Sequence, residues 1–222
     1  MLGYSQLKIN SKKIPFWGFL ILQKKYVIIN YKIRKEVFVM NKFLGHLKTV
    51  SKHKWWVFYY SCKAGIPLRG LAHDISKLNP IEFFESVKYN TGTRSPIDAC
   101  KEDKGYSMAW LHHKGRNKHH YEHWVDDFDN GGKPLLMPYK EAVEMLCDYI
   151  AAGRAYSGKD FAFEKELLWW KEKKKKPLMM HPAIKQFITI SLTVASVLND
   201  IPNEADLKEL YKECTKNYDK QF

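Results

Sequence analysis

From residue 41 onward, helix start and stop signals follow one another with only short gaps, and this constrains the chain more than any other feature. Asn79-Pro80-Ile81-Glu82 sets a cap, a first-turn proline and a third-position acid in order, which predicts a helix over 80–89. Before it, in 41–64, Phe43, Leu47, Val50, Trp55 or Lys54, Phe58 and Cys62 recur at three- and four-residue steps, and Gly65 with Pro67 closes the segment. Shorter helices are expected at 68–76 and at 106–113, the latter ending at Gly115. A strong one is expected at 138–156, and three more at 160–175, 182–199 and 203–218, the last capped by Asn203 or Asp206. Ser95-Pro96 opens one turn of helix in an otherwise loop-rich 91–106, and Asn130-Gly131-Gly132 marks a tight turn. The expected class is all-α, a helical bundle forming a single domain over 40–222.

Residues 1–39 read differently. They are β-branched and aromatic, without helical period, and Tyr26–Ile33 (YVIINYKI) has the composition of a strand. An irregular or β-prone arm is expected there, or an upstream extension preceding a natural start at Met40. Residues 1–40 also carry eight Lys/Arg against one acid, a net +7 of the whole chain's +13. What remains in the body is mildly basic and interspersed, apart from the run Lys171–Lys176, expected as a solvated helix end before Pro177. Global charge therefore gives only weak support to a nucleic-acid partner.

The longest apolar stretch, Ile14–Leu22, is too short to span a bilayer, so no membrane partner is expected. The four cysteines, Cys62, Cys100, Cys147 and Cys214, form no Cys-x-x-Cys pair, which argues against a disulfide scaffold and fits a cytoplasmic location. Cys147 reads as a small buried hydrophobe. The Trp pairs 55–56 and 169–170 read as core and core edge.

The chemistry lies in the histidines. All nine fall between 46 and 181, with four inside nine residues: His112, His113, His119 and His120. Imidazole is the commonest nitrogen ligand for metals, and a carboxylate adds a hard oxygen able to bridge two ions. His46 and His53 are two helical turns apart and so share a face. His73-Asp74 falls where a helix ends. Glu141, Glu144 and Asp148 share one face of a helix. A bundle can converge such groups on one buried point. The competing structural readings are a packed helix-face histidine for His46 or His53, an Asp-anchored His at a helix end for His73, and a polar surface loop for 112–120. His123 and His181 read as structural. Glu141 and Glu144 read as a solvated face, with Glu144 the better candidate to support a ligand from behind.

Leu71-Ala72-His73-Asp74-Ile75-Ser76-Lys77 resembles the signature of the HD-domain superfamily of metal-dependent phosphohydrolases, which are all-helical. Ser76 stands where the commoner version has glycine. Trp110-Leu111-His112-His113 with Asn117-Lys118-His119-His120-Tyr121-Glu122 is also similar to an uncharacterised bacterial family of small proteins. The resemblance covers most of 41–181. It implies one or two divalent ions (Mn, Fe, Co or Zn) held by His46 or His53, by His73 and Asp74, by His112 or His113, by His119 or His120, and by Asp148. It further implies a small phosphorylated substrate, in some cases nucleotide-derived, hydrolysed by metal-activated water, with Asp74 and Lys77 at the chemistry. Lys77, Arg116, Lys118 and Arg154 are the expected phosphate contacts, although Arg116 and Lys118 also read as simply exposed. Two other classes compete: an HD-type di-iron oxygenase, and a metal-stabilised binding module without catalysis. Oligomeric state is not encoded in any of these motifs.

Overall fold

The computed structural model describes residues 16–218. Nine α-helices lie among them: α1 (Phe16–Lys63), α2 (Pro67–Ala72), α3 (Pro80–Tyr89), α4 (Pro96–Lys104), α5 (Met108–Arg116), α6 (Tyr139–Ser157), α7 (Phe163–Lys173), α8 (Pro182–Leu198) and α9 (Glu204–Thr215). Two two-residue strands, β1 (Val125–Asp126) and β2 (Lys133–Pro134), pair antiparallel across the turn that contains Gly131 and Gly132, both at positive φ. The fold is all-α.

The chain divides into two compact units between Asn41 and Lys42. In the first, every described residue is helical, including Tyr26–Ile33, where a strand was expected. The reason is backbone satisfaction. A strand needs a neighbour for its N–H and C=O groups, whereas a helix pairs its own. The propensity cost of Val and Ile in a helix is only a few tenths of a kcal/mol per residue, too little to reverse that.

The second unit is built around α6. Residues Ala142 to Ala151 of that helix are buried in unbroken succession. Its apolar neighbours come from every side: Val57 and Tyr60 of α1 with Ala64 just after it, Leu167 and Trp170 of α7, Ile184, Phe187 and Ile188 of α8, and Leu207 of α9. Helix starts follow the sequence signals. Asn79 Oδ1 accepts from Ile81 N at 3.0 Å, and Asn203 Oδ1 accepts from Ala205 N and Asp206 N at 2.9 and 3.1 Å. His181 caps α8, its Nδ1 accepting from Ala183 N at 3.3 Å.

Three local expectations are corrected. The buried face of the 41–64 segment runs through His46, Val50, His53, Val57, Tyr60 and Ala64, and not through Leu47 and Cys62, which are outside the core. The two histidines sit on the inward stripe, so hydropathy alone placed that stripe one residue off. In each Trp pair only one ring turns inward, since neighbours on a helix point about 100° apart: Trp55 is 61% exposed and Trp169 43%, while Trp170 is fully buried. Finally, 96–104 forms a full helix, started by Pro96 at its first turn and stopped at Gly105 with φ +80°. Its charged composition hid the period.

Candidate metal centre

The segment 68–76 was expected as one helix, and its interruption creates the site. Helix α2 stops at Ala72. His73 is then extended (φ −52°, ψ 132°), Asp74 is left-handed (φ 54°, ψ 34°), and a 3₁₀ turn follows over Ile75–Leu78. On a continuous helix, side chains 73 and 74 diverge by about 100°. The break lets both face one point. A left-handed non-glycine residue carries about 1–2 kcal/mol of strain, least for Asp and Asn, and such strain concentrates at functional positions. Gly70 allows α2 to lie close to α1, since a Cβ there would come within 2.4 Å of Ser61 Cβ.

Around Asp74 the structure gathers two overlapping groups of potential ligands. The first is His53, His73, Asp74 and Asp148, all buried. His53 Nε2 lies 3.1 Å from Asp148 Oδ1, 3.4 Å from His73 Nε2 and 3.8 Å from Asp74 Oδ2. His73 Nε2 lies 3.1 Å from Asp74 Oδ2 and 3.5 Å from Asp148 Oδ1. Four atoms bound to one divalent ion at about 2.1 Å stand about 3.4 Å apart in tetrahedral geometry, which is the spacing found here. The second group is Asp74, His113, His119 and His120. Asp74 turns its other oxygen to it: Oδ1 is 3.3 Å from His113 Nε2 and 3.4 Å from His119 Nε2. Asp74 is thus common to both groups, one oxygen to each.

The imidazoles are held from behind by carboxylates. Glu144 Oε1 lies 3.0 Å from His73 Nδ1 and 3.2 Å from His119 Nδ1, and Arg69 Nε donates to Glu144 Oε2 at 2.8 Å. Glu82 Oε2 lies 2.7 Å from His113 Nδ1, and Glu82 Oε1 pairs with His112 Nδ1. A carboxylate oxygen only accepts, so Nδ1 of His73, His113 and His119 carries the proton and Nε2 is the atom each turns to the cluster. The third potential ligand group, His73, His119 and Glu144, is this supporting arrangement. Ser76 has its own part: it donates to Glu82 Oε2 at 3.1 Å and accepts from Asn117 Nδ2 at 2.7 Å.

This polar cluster is buried and internally unbalanced. Asp74 Oδ1, His119 Nε2 and His120 Nε2 have no hydrogen-bond partner. Burial pushes the Asp74 and Asp148 carboxyls up, but their histidine neighbours, with Lys77 also beside Asp74, outweigh it and hold both well below the usual range. The same attraction holds His73 well above its ordinary value against burial. Burial and the His119 charge hold His120 well below. Inward ring nitrogens at van der Waals distance from carboxylate oxygens, with some atoms orphaned, are the donor set a cation completes. The residues fit one or two divalent ions.

The other predicted site residues are placed as follows. His46 is buried edge-on against Phe83 at 5.2 Å between ring centres and joins neither group; burial, then the Lys77 charge, lowers it to about 4. His112 contacts Glu82 behind His113. Lys77 Nζ pairs with Asp74 Oδ2, its side chain 26% exposed. Arg116 lines a shallow hollow with Ser76, His112 and Asn117. Lys118 is exposed. Arg154 lies 4.1 Å over the Trp56 ring and donates to Tyr60 Oη at 2.9 Å, which commits it to aromatic packing. Sequence reasoning missed Glu82 and Arg69. Glu82 sits at the third position of α3, where an acid reads as capping, and that signal masked its inward turn.

Glu144→Gln is expected to keep the fold and weaken metal binding about 10–100-fold, because a neutral amide supports the two imidazoles less well. Titration of metal-free protein with Mn²⁺ or Zn²⁺ checks it; unchanged affinity would show that Glu144 plays no supporting part.

Fold and cluster together define an all-helical protein with a candidate metal centre of histidines and carboxylates. The chain belongs to a family of unknown function, DUF5662, whose model matches residues 42–193, a stretch that includes every residue of the cluster. No curated protein and no solved structure matches it. No helix among the described residues is long and apolar enough to cross a membrane.

Proposed function

We propose that this protein is a metal-dependent phosphohydrolase of the HD type, cleaving a phosphate ester with water. The observation that carries the reading is Asp74, which offers Oδ2 to the His53, His73 and Asp148 group and Oδ1 to the His113, His119 and His120 group. That is the disposition of a carboxylate shared by two ions. When bound, a pair of divalent ions lowers the pKa of a coordinated water to about 7 and offsets phosphoryl charge.

The chain's own residues supply the rest. His53, His73 and Asp148 would hold one ion; His113, His119 and His120 would hold the other. Glu144 and Glu82 keep the Nδ1 protons in place, so that Nε2 stays available. Lys77, paired with Asp74 and partly exposed, is placed to meet a phosphoryl oxygen with its ammonium. The break at 73–74 fixes both first ligands with little freedom to reorganise, which lowers the cost of binding the ions.

The test is elemental analysis of full-length protein prepared without oxygen, for wild type, His73→Ala and Asp148→Ala, followed by assay on aryl phosphates. About two equivalents of Mn, Fe, Co or Zn in wild type, lost with phosphate release in both variants, supports the reading. A folded wild type that takes up no metal on reconstitution sinks it. Two equivalents of iron with oxygen uptake and no phosphate release would replace it with oxygen chemistry at the same residues.

A further inference from the structure

A cavity of about 670 Å³ adjoins the cluster, and His120 belongs to both. That volume suits a small organic ligand. Its walls are aromatic, including Trp110, Tyr149 and Trp169. Two of its lysines are already engaged. Lys101 Nζ lies 4.7 Å from the Trp110 ring centre, and Lys173 Nζ lies 4.5 and 4.9 Å from those of Tyr149 and Trp169.

The acids of the wall are not matched in this way. Glu166 is 7% exposed, faces the cavity, and makes no hydrogen bond or ion pair among the described residues. Its Oε2 rests on Gly153, where a Cβ would come within 1.9 Å, so the absence of a side chain at 153 is what gives the carboxyl its place. Burial pushes Glu166 up to about 8, against the pull of Lys173 and with the push of Asp148. Glu122, on the same wall, leaves Oε2 without a hydrogen-bond partner. A buried carboxyl without a partner is costly, and a ligand bearing a cationic donor relieves it.

We propose that this cavity holds the organic part of the substrate and that Glu166 selects it, by pairing with an amino group on an aromatic phosphate ester. The aromatic walls take the ring, Glu166 takes the amine, and the phosphate lies at the His120 end. The ester and the placement of its phosphate rest on the phosphohydrolase reading; the placements of ring and amine do not.

The experiment is calorimetric titration of metal-loaded, full-length protein with two probes that differ chiefly in the amine, tyramine phosphate and 4-ethylphenyl phosphate. Wild type is expected to bind the amine probe about tenfold or more tightly, the usual range for a charge-assisted hydrogen bond. In Glu166→Gln, which keeps shape but cannot ionise to pair with the amine, the preference should vanish while 4-ethylphenyl phosphate affinity and metal content hold. Equal binding of the probes by wild type, a preference that survives in Glu166→Gln, or no binding of either probe overturns the proposal. Discrimination without hydrolysis of either probe leaves the cavity assignment standing and removes the phosphohydrolase reading. Hydrolysis of both without discrimination does the reverse. Should Glu166→Gln fail to fold, Gly153→Ala, which displaces the Glu166 carboxyl, serves in its place with the same expected loss of preference.

Discussion

Asp74→Asn is expected to retain wild-type helicity and to lose metal affinity by more than the ~10–100-fold of an outer-shell change. The substitution is well matched to its backbone. Position 74 is left-handed (φ 54°), and asparagine adopts that region nearly as readily as aspartate. Asp74→Ala would mix loss of the ligand with about 1–2 kcal/mol of backbone strain. Asparagine can offer one amide oxygen to one ligand group, but its NH₂ then faces the other, so at most one ion keeps its contact. It also removes the charge that pairs with Lys77 and raises His73 above its ordinary value. Elemental analysis alongside a thermal melt reads the two effects separately. An Asn variant that keeps two ions would show that Asp74 does not join the groups.

Trp170→Ala should remove about 3–5 kcal/mol of stability, a large part of the roughly 5–15 kcal/mol a domain possesses. Among the described residues, Trp170 is the largest side chain that is fully buried. Its Nε1 donates to Thr189 Oγ1 at 2.8 Å, joining α7 to α8, and its ring lies 5.9 Å from that of Tyr149 on α6. Truncation opens a void and leaves the Thr189 hydroxyl without its donor. Trp170→Phe fills most of the void and should cost about 1–2 kcal/mol, chiefly the lost hydrogen bond. Urea unfolding measures both. A loss below about 1 kcal/mol for the alanine variant would mean that α7 contributes little to the core.

The helical class and most element positions were legible because they rest on local signals: Asn79-Pro80, the Gly65 stop, and the Asn203 cap. The candidate ligands were legible as residue types, since four histidines in nine residues and a His-Asp pair have few structural explanations. Which histidine of a pair turns inward was not legible. His46 and His53 share a helix face, and only the tertiary position of α2 decides that His53 meets His73. His112 and His113 differ by one helical step, and that step sends one to the cluster and the other to Glu82. Glu144 was legible as a candidate support, but not which imidazoles it would back, and the role of Glu82 was hidden altogether. A carboxylate behind an imidazole has no spacing of its own in sequence, because it is chosen by where two helices cross.

Helix α6 carries Glu144 and Asp148 one turn apart, with Tyr149 and Gly153 immediately beyond. Ligand, ligand support and cavity wall are therefore parts of one rigid rod. A displacement of that rod would move all three together, which couples the spacing of the candidate ligands to the shape of the cavity. On the proposed function, retention of an ion and recognition of a substrate would become a single mechanical variable, and a partner or ligand pressing on α6 would adjust both at once.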